Sequence, residues 1–225
     1  MLGGARAHVR PFTRAIAAPF LWLHIPPNAI TVLTLVPAGA AAVFLARGAW
    51  IEALCLGVLA SVLDMVDGTV ARVTGRVTKY GGFLDSVVDR AVDALFLFGV
   101  GFAIGTTPGW ILVAAGTIGG VGTPYARARA YEAMDDVPEG SWQQLFERPE
   151  RLIVLGLGVL AQALVALRGQ GDERSILLYA LALYAVGSLF TLVQRVLKVR
   201  QLLAQKDAPK ASRRAARAPS SRAGP

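Results

Sequence analysis

Six long apolar blocks separated by short polar breaks dominate the chain, at 28–46, 50–73, 80–105, 108–133, 149–168 and 174–198. Each is near the ~20 residues that cross a bilayer core as a helix, and the longer ones are expected to protrude. The breaks carry turn residues and charge: Arg47-Gly48, Gly75-Arg76, Gly105 to Pro108, an acidic loop over 135–147, and Arg168 to Arg174. Ahead of the first block, residues 5–24 set Arg6, Arg10 and Arg14 beside Phe12, Ile16, Phe20, Leu21 and Trp22. That basic and aromatic pattern predicts an amphipathic helix lying in the membrane interface. Pro26-Pro27 ends it, and Pro27 suits the first turn of the next helix. The predicted fold is an all-α polytopic membrane protein with six transmembrane helices and an N-terminal interfacial helix. Its parts are an interfacial segment over 1–27, a membrane domain over 28–203, and a basic, low-complexity tail over 204–225 that is expected to be disordered.

Composition supports this reading. Of the 225 residues, 54% are hydrophobic and 17% charged, against roughly 45–50% and 25% in a soluble domain. Mean hydropathy is +0.51. The net charge of +8 would bring nucleic acid into consideration for a soluble protein. Here the positive charge lies in loops and at the termini, where the positive-inside rule and anionic membrane lipids account for it, and no nucleic-acid partner is expected. One side of the membrane holds Arg47, Arg168 and Arg174, only 3 of the 23 Lys and Arg residues. The other side is therefore expected to be cytoplasmic, with both termini on it, in the cell membrane. No small-residue cleavage site follows a short apolar core at the N-terminus, so no secretory signal is expected. The single Cys55 excludes an intramolecular disulfide and a cysteine metal cluster, and is expected to pack between helices. Trp22, Trp50, Trp110 and Trp142 fit interface positions.

Four carboxylates interrupt the apolar pattern. Asp64 and Asp67 are three apart, Asp85 and Asp89 four apart, so each pair shares a helical face. A carboxylate near the middle of a membrane helix costs about 2.5–3.5 kcal/mol, so four need partners. Divalent cations are natural ones: Mg²⁺ takes a few carboxylates plus water and substrate phosphate, and two facing pairs suit a two-metal site. Gly68 and Gly81 flank the acids and leave room for a phosphate ligand near the backbone. Arg72, five residues past Asp67, is near enough to meet it. The pairs open toward the cytoplasmic side, across the turn between the second and third blocks.

The string Asp64-x-x-Asp67-Gly68-x-x-Ala71-Arg72, eight residues, then Gly81-x-x-x-Asp85-x-x-x-Asp89 resembles the signature of the CDP-alcohol phosphotransferases at every fixed position. The resemblance implies an enzyme of phospholipid biosynthesis that transfers the phosphatidyl group of a CDP-lipid such as CDP-diacylglycerol to an alcohol and releases CMP. It implies that Asp64, Asp67, Asp85 and Asp89 bind two ions, Mg²⁺ or Mn²⁺, with Asp89 the candidate base for the acceptor hydroxyl. It places Asp64, Gly68, Ala71, Arg72, Thr78 and Gly81 around the CDP-lipid. Asn28 and Thr31 resemble the family segment that touches the nucleotide, and Asn28 also suits a helix N-cap. Homodimers are common in the family.

The acceptor is read from arginines outside that motif. Arg127 and Arg129 end the fourth block, Arg148 and Arg151 open the fifth on one shared face, and Arg195 lies late in the sixth. Several arginines lining one pocket form a phosphate receptor, whereas singly each also suits a positive-inside anchor. As a set they resemble the phosphatidylinositol phosphate synthase branch, which implies a phosphorylated polyol acceptor, inositol 1-phosphate. Arg127 stands where that branch more often has lysine. The alternative within the family is glycerol 3-phosphate, giving phosphatidylglycerol phosphate. Asp93 is expected to partner an arginine, Arg90 to point away from the aspartate face, and His8 and His24 to lie outside the site.

A divalent-cation transporter would also place carboxylates in a membrane. It leaves the glycines and Arg72 unexplained, and the outer stretches 33–46, 95–105 and 157–167 hold no acid to continue a cation path.

Overall fold

The computed structural model describes residues 15–134, 146–169 and 174–217, with side chains in the last helix to residue 204. The described residues are helices and their connections, with no strand among them. A helical stretch at 15–22 (α1) precedes α2 (Pro27–Leu33), α3 (Leu35–Ala46), α4 (Trp50–Val73), α5 (Lys79–Ile104), α6 (Thr107–Ala133), α7 (Arg148–Leu167) and α8 (Ser175–Arg217). The apolar blocks and the helices coincide to within a residue or two, except in two places.

The first block is two helices joined through Thr34. Pro37 is the cause we assign: it has no N–H to give the Leu33 carbonyl, so the helical ladder fails one turn before it. The last helix continues to Arg217, into the stretch expected to be disordered from residue 204. Alanine, lysine, arginine and glutamine there favour helix. The segments 1–14, 135–145, 170–173 and 218–225, with His8, Trp142 and most of the acidic loop, lie outside the described residues.

Packing closes the helices into a ring: α3 against α4 and α5, α5 against α6, α6 against α8, α8 against α7, and α7 back against α4. Small residues set the closest approaches. A Cβ on Gly119 would meet the Ser188 backbone of α8 at 2.6 Å, and one on Gly99 would meet Ala42 of α3 at 2.8 Å. Close backbones of this kind are how helices associate where lipid removes the hydrophobic drive. The main core joins Leu97, Val100, Leu177, Leu181 and Tyr184, while Phe102, Ile111, Leu183 and Val186 face outward. An apolar exterior is what a lipid-facing surface needs. Four helical stretches, Pro27–Ala46, Trp50–Val73, Arg148–Leu167 and Ser175–Ala204, are long and apolar enough to cross a membrane. Asp85, Asp89, Arg90 and Asp93 interrupt α5, and glycine, threonine and proline dilute α6.

A second core lies under α1, where Ala17, with Ile16, Phe20 and Leu21, packs on Ile30, Leu63, Val66 and Val70. Trp22 is exposed. One small expectation fails. Cys55 is exposed on the outer face of α4 rather than packed between helices, because its neighbours Ala53 and Ala60 take the buried face. Trp50 is buried in the core under the Gly48 turn.

Candidate active site

All the motif residues gather at one end of the ring: the start of α2, the end of α4, the start of α5, the end of α6, the start of α7 and the later part of α8. One carboxylate oxygen from each of Asp64, Asp85 and Asp89 lies within 4.8 Å of the others, all three residues half-buried. Three hard oxygen donors converging from two helices fit a divalent cation of the Mg²⁺ or Mn²⁺ kind. Asp67, 5% exposed, is outside that triad. Its Oδ2 accepts from the Thr31 hydroxyl of α2, and its Oδ1 accepts from the Gly68 backbone N–H. Thus Thr31 orients Asp67 from a neighbouring helix.

The glycines do what close approach requires. A Cβ on Gly81 would meet Thr78 Oγ1 at 3.1 Å and Asn28 Oδ1 at 3.2 Å. Thr78 caps α5, accepting from Gly81 N–H at 3.0 Å. Asn28 is not an N-cap: Pro26 holds that position without a side-chain bond, Pro27 opens the first turn, and the Asn28 amide is left to face Gly81. On α4, Arg72 folds back along Gly68, its Nη1 3.3 Å from where a Cβ would sit, and its Nη2 donates to Thr69 Oγ1 at 3.3 Å. Ala71 is half-buried beside it.

The five arginines separate into three environments. Arg148 lies among the carboxylates, not with the others: Nη1 is 3.3 Å from Asp64 Oδ2 and 2.8 Å from Asp89 Oδ1, and Nε donates to Asp93 Oδ1 at 3.1 Å. Asp93 thus partners an arginine, as expected. Arg90 departs from expectation, since its Nη1 touches Asp89 Oδ2 at 3.4 Å. Adjacent on the chain, the long Arg90 side chain curls back to the nearest buried acid.

Arg151 is buried, with Nη1 donating to Ser188 Oγ at 3.4 Å and the guanidinium 5.7 Å from the Tyr184 ring. Its Nε is buried without a hydrogen-bond partner. Arg195 is also buried, with Arg127, Glu147 and Arg151 as charged neighbours. Arg127 and Arg129 are exposed; the first lies over the Tyr131 ring at 5.6 Å, and the second pairs with Glu132. Two contributors escaped the sequence reading, Tyr184 and Ser188. The signal was there: Tyr184, Ser188, Thr191 and Arg195 follow 4-3-4 spacing, one helical face, and all are buried. His24 is exposed at the α1–α2 turn, away from these groups.

A cavity of about 210 Å³ runs between α4 and α7. Gly57, Val58, Met65, Phe96, Leu155 and Val159 are among its largely apolar lining. It begins beside the site, since Met65 follows Asp64 and the lining residue Leu152 lies one turn past Arg148.

Comparison with known proteins agrees with this geometry. The family model described as CDP-alcohol phosphatidyltransferase matches residues 24–193. The chain is 32% identical over 204 residues to archaetidylinositol phosphate synthase of Pyrococcus horikoshii, covering 90% of this chain and 98% of that one. It is 33% identical over 221 residues to phosphatidylinositol phosphate synthase of Streptomyces avermitilis, covering 92% and 87%. Among solved structures it resembles Mycobacterium tuberculosis phosphatidylinositol phosphate synthase with CDP-DAG bound, at TM-score 0.68 and 28% identity over 83% of this chain and 92% of that one. The manganese and citrate complex of that enzyme gives TM-score 0.68 at 27% identity, over 83% and 88%. With its aspartate signature intact and its helices closed around it, this chain belongs to the CDP-alcohol phosphatidyltransferase family, multi-pass membrane enzymes that use a divalent metal.

Proposed function

We propose that the protein transfers the phosphatidyl group of CDP-diacylglycerol to inositol 1-phosphate and releases CMP. The observation that carries the acceptor is Arg151. A buried guanidinium with an unpartnered Nε, beside a second buried arginine, is costly unless an anion completes it. An acceptor with its own phosphate supplies that anion, whereas a neutral alcohol does not. The names of the relatives support the same reading.

In this reading Asp64, Asp85 and Asp89, with Asp67 steadied by Thr31, hold two dications, Mg²⁺ or Mn²⁺. When bound, they neutralise charge on the donor pyrophosphate and on the leaving CMP. Asn28, Thr78 and Gly81 form one wall of the nucleotide site, and Gly68, Ala71 and Arg72 the other. The cavity between α4 and α7 takes an acyl chain of the lipid. Arg151 and Arg195, with Arg127 and Arg129 at the rim, hold the acceptor phosphate, and Arg148 bridges them to the acids. The acceptor hydroxyl gives its proton to Asp89 as its oxygen bonds to the β-phosphorus, and the bond to CMP breaks. Six spans, with α1 in the interface and the site toward the cytoplasm of the cell membrane, give it both substrates.

Purified protein with CDP-diacylglycerol and Mg²⁺, offered inositol 1-phosphate, glycerol 3-phosphate or free inositol, tests the proposal. Turnover confined to inositol 1-phosphate is expected. Turnover with glycerol 3-phosphate in its place would overturn the acceptor assignment while leaving the donor chemistry intact.

A further inference from the structure

Asp93 lies outside the aspartate signature, one turn deeper on α5 than Asp89, and is 5% exposed. Its Oδ1 holds Arg148 Nε at 3.1 Å. From that anchor Arg148 Nη1 reaches Asp64 Oδ2 at 3.3 Å and Asp89 Oδ1 at 2.8 Å. The chain thus places a guanidinium, permanently charged at any physiological pH, between two of the three converging carboxylates. Such a charge relieves the mutual repulsion of the acids. It also contends with a dication for their oxygens. How strongly it contends depends on how much of its charge Asp93 takes, because Asp93 Oδ2 is buried without a hydrogen-bond partner and that carboxylate is balanced through Arg148.

We infer that Arg148 is the built-in counter-cation of the metal site, and that Asp93 is a positioning residue which tunes divalent-cation affinity by holding Arg148 through Nε. The inference rests on the reading of Asp64, Asp85 and Asp89 as cation ligands. Asp93 acts through another side chain, so its effect disappears when that side chain is gone. A merely structural acid would not behave in this way.

The test is Mn²⁺ binding to the purified full-length protein, without substrates, followed by the electron paramagnetic resonance signal of free Mn²⁺. Arg148→Gln is expected to bind about tenfold more tightly than wild type, because it loses the contending charge, and Asp93→Asn about threefold more weakly, because it frees that charge from its anchor. The double variant is expected to match Arg148→Gln alone, giving the non-additivity of a shared path. Additive shifts, or an Arg148→Gln protein no tighter than wild type, would overturn the inference. Wild-type protein that fails to bind Mn²⁺ would refute the ligand assignment and this inference together. Normal wild-type binding with unshifted variants refutes the Arg148 role alone. Should Arg148→Gln fail to fold, the near-isosteric Asp93→Asn decides by itself, with unchanged affinity counting against the proposal.

Discussion

Thr31 on α2 donates its hydroxyl to Asp67 on α4, so a signature aspartate is held by a helix that the signature does not include. The same hydroxyl lies 3.2 Å from the Pro27 carbonyl, which ties the contact to the first turn of α2. Thr31→Val keeps the shape and removes the donor. It is expected to lower kcat about ten- to a hundredfold, matching a hydrogen bond to a charged group at ~1.5–3 kcal/mol. CMP release from CDP-diacylglycerol measures it, and full activity in Thr31→Val would remove Thr31 from the site.

The carboxylates themselves should tolerate no neutral substitute. Asp64→Asn, Asp67→Asn and Asp89→Asn are each expected to lower CMP release by roughly a thousandfold, the loss of several kcal/mol of charge stabilisation. Membrane insertion should persist, as cell fractionation would show. Near-normal release by any of the three would end its role as ligand or base.

Removal of divalent cations gives an independent check. Chelation by EDTA is expected to abolish turnover, and added Mg²⁺ or Mn²⁺ to restore it, because the converging oxygens match hard cations. A chelated enzyme that still releases CMP would rule out a metal-dependent site.

Arg151 separates the two substrates. Its place against Ser188 and Tyr184, one helix away from the aspartates, predicts that Arg151→Ala raises the acceptor KM more than tenfold and leaves the CDP-lipid KM within about twofold. Equal changes in both constants would take Arg151 out of the acceptor pocket.

The α6–α8 contact sets stability rather than chemistry. A side chain at Gly119 must push against the Ser188 backbone, so Gly119→Val is expected to lower the thermal midpoint in detergent through overpacking at ~1–3 kcal/mol. An unchanged midpoint would show that the two helices part freely.

Much of this molecule was legible one residue at a time. Apolar runs near bilayer length marked the helices, because a membrane helix must satisfy its backbone internally and coat itself with apolar side chains. Asp64, Asp67, Asp85 and Asp89 stood out because charge is costly there, and their spacing of three and four put each pair on one face. Pro27 was a local feature at a helix start, and it behaves as such. For Asn28 the sequence left both a cap and a site-facing amide open, because the choice depends on where Gly81 comes to rest, more than fifty residues later.

The sequence alone therefore determined the helices, the membrane class and the acids, all of which follow from local periodicity and the cost of burying charge. Tertiary packing decided which groups meet. Only closure of α7 onto α4 sends Arg148 into the carboxylates, 84 residues from Asp64 and 55 from Asp93, while Arg127 and Arg129 stay exposed. Five arginines look alike along the chain because each carries the same charge. They differ in the fold because each is surrounded by different partners, supplied by helices far away in sequence.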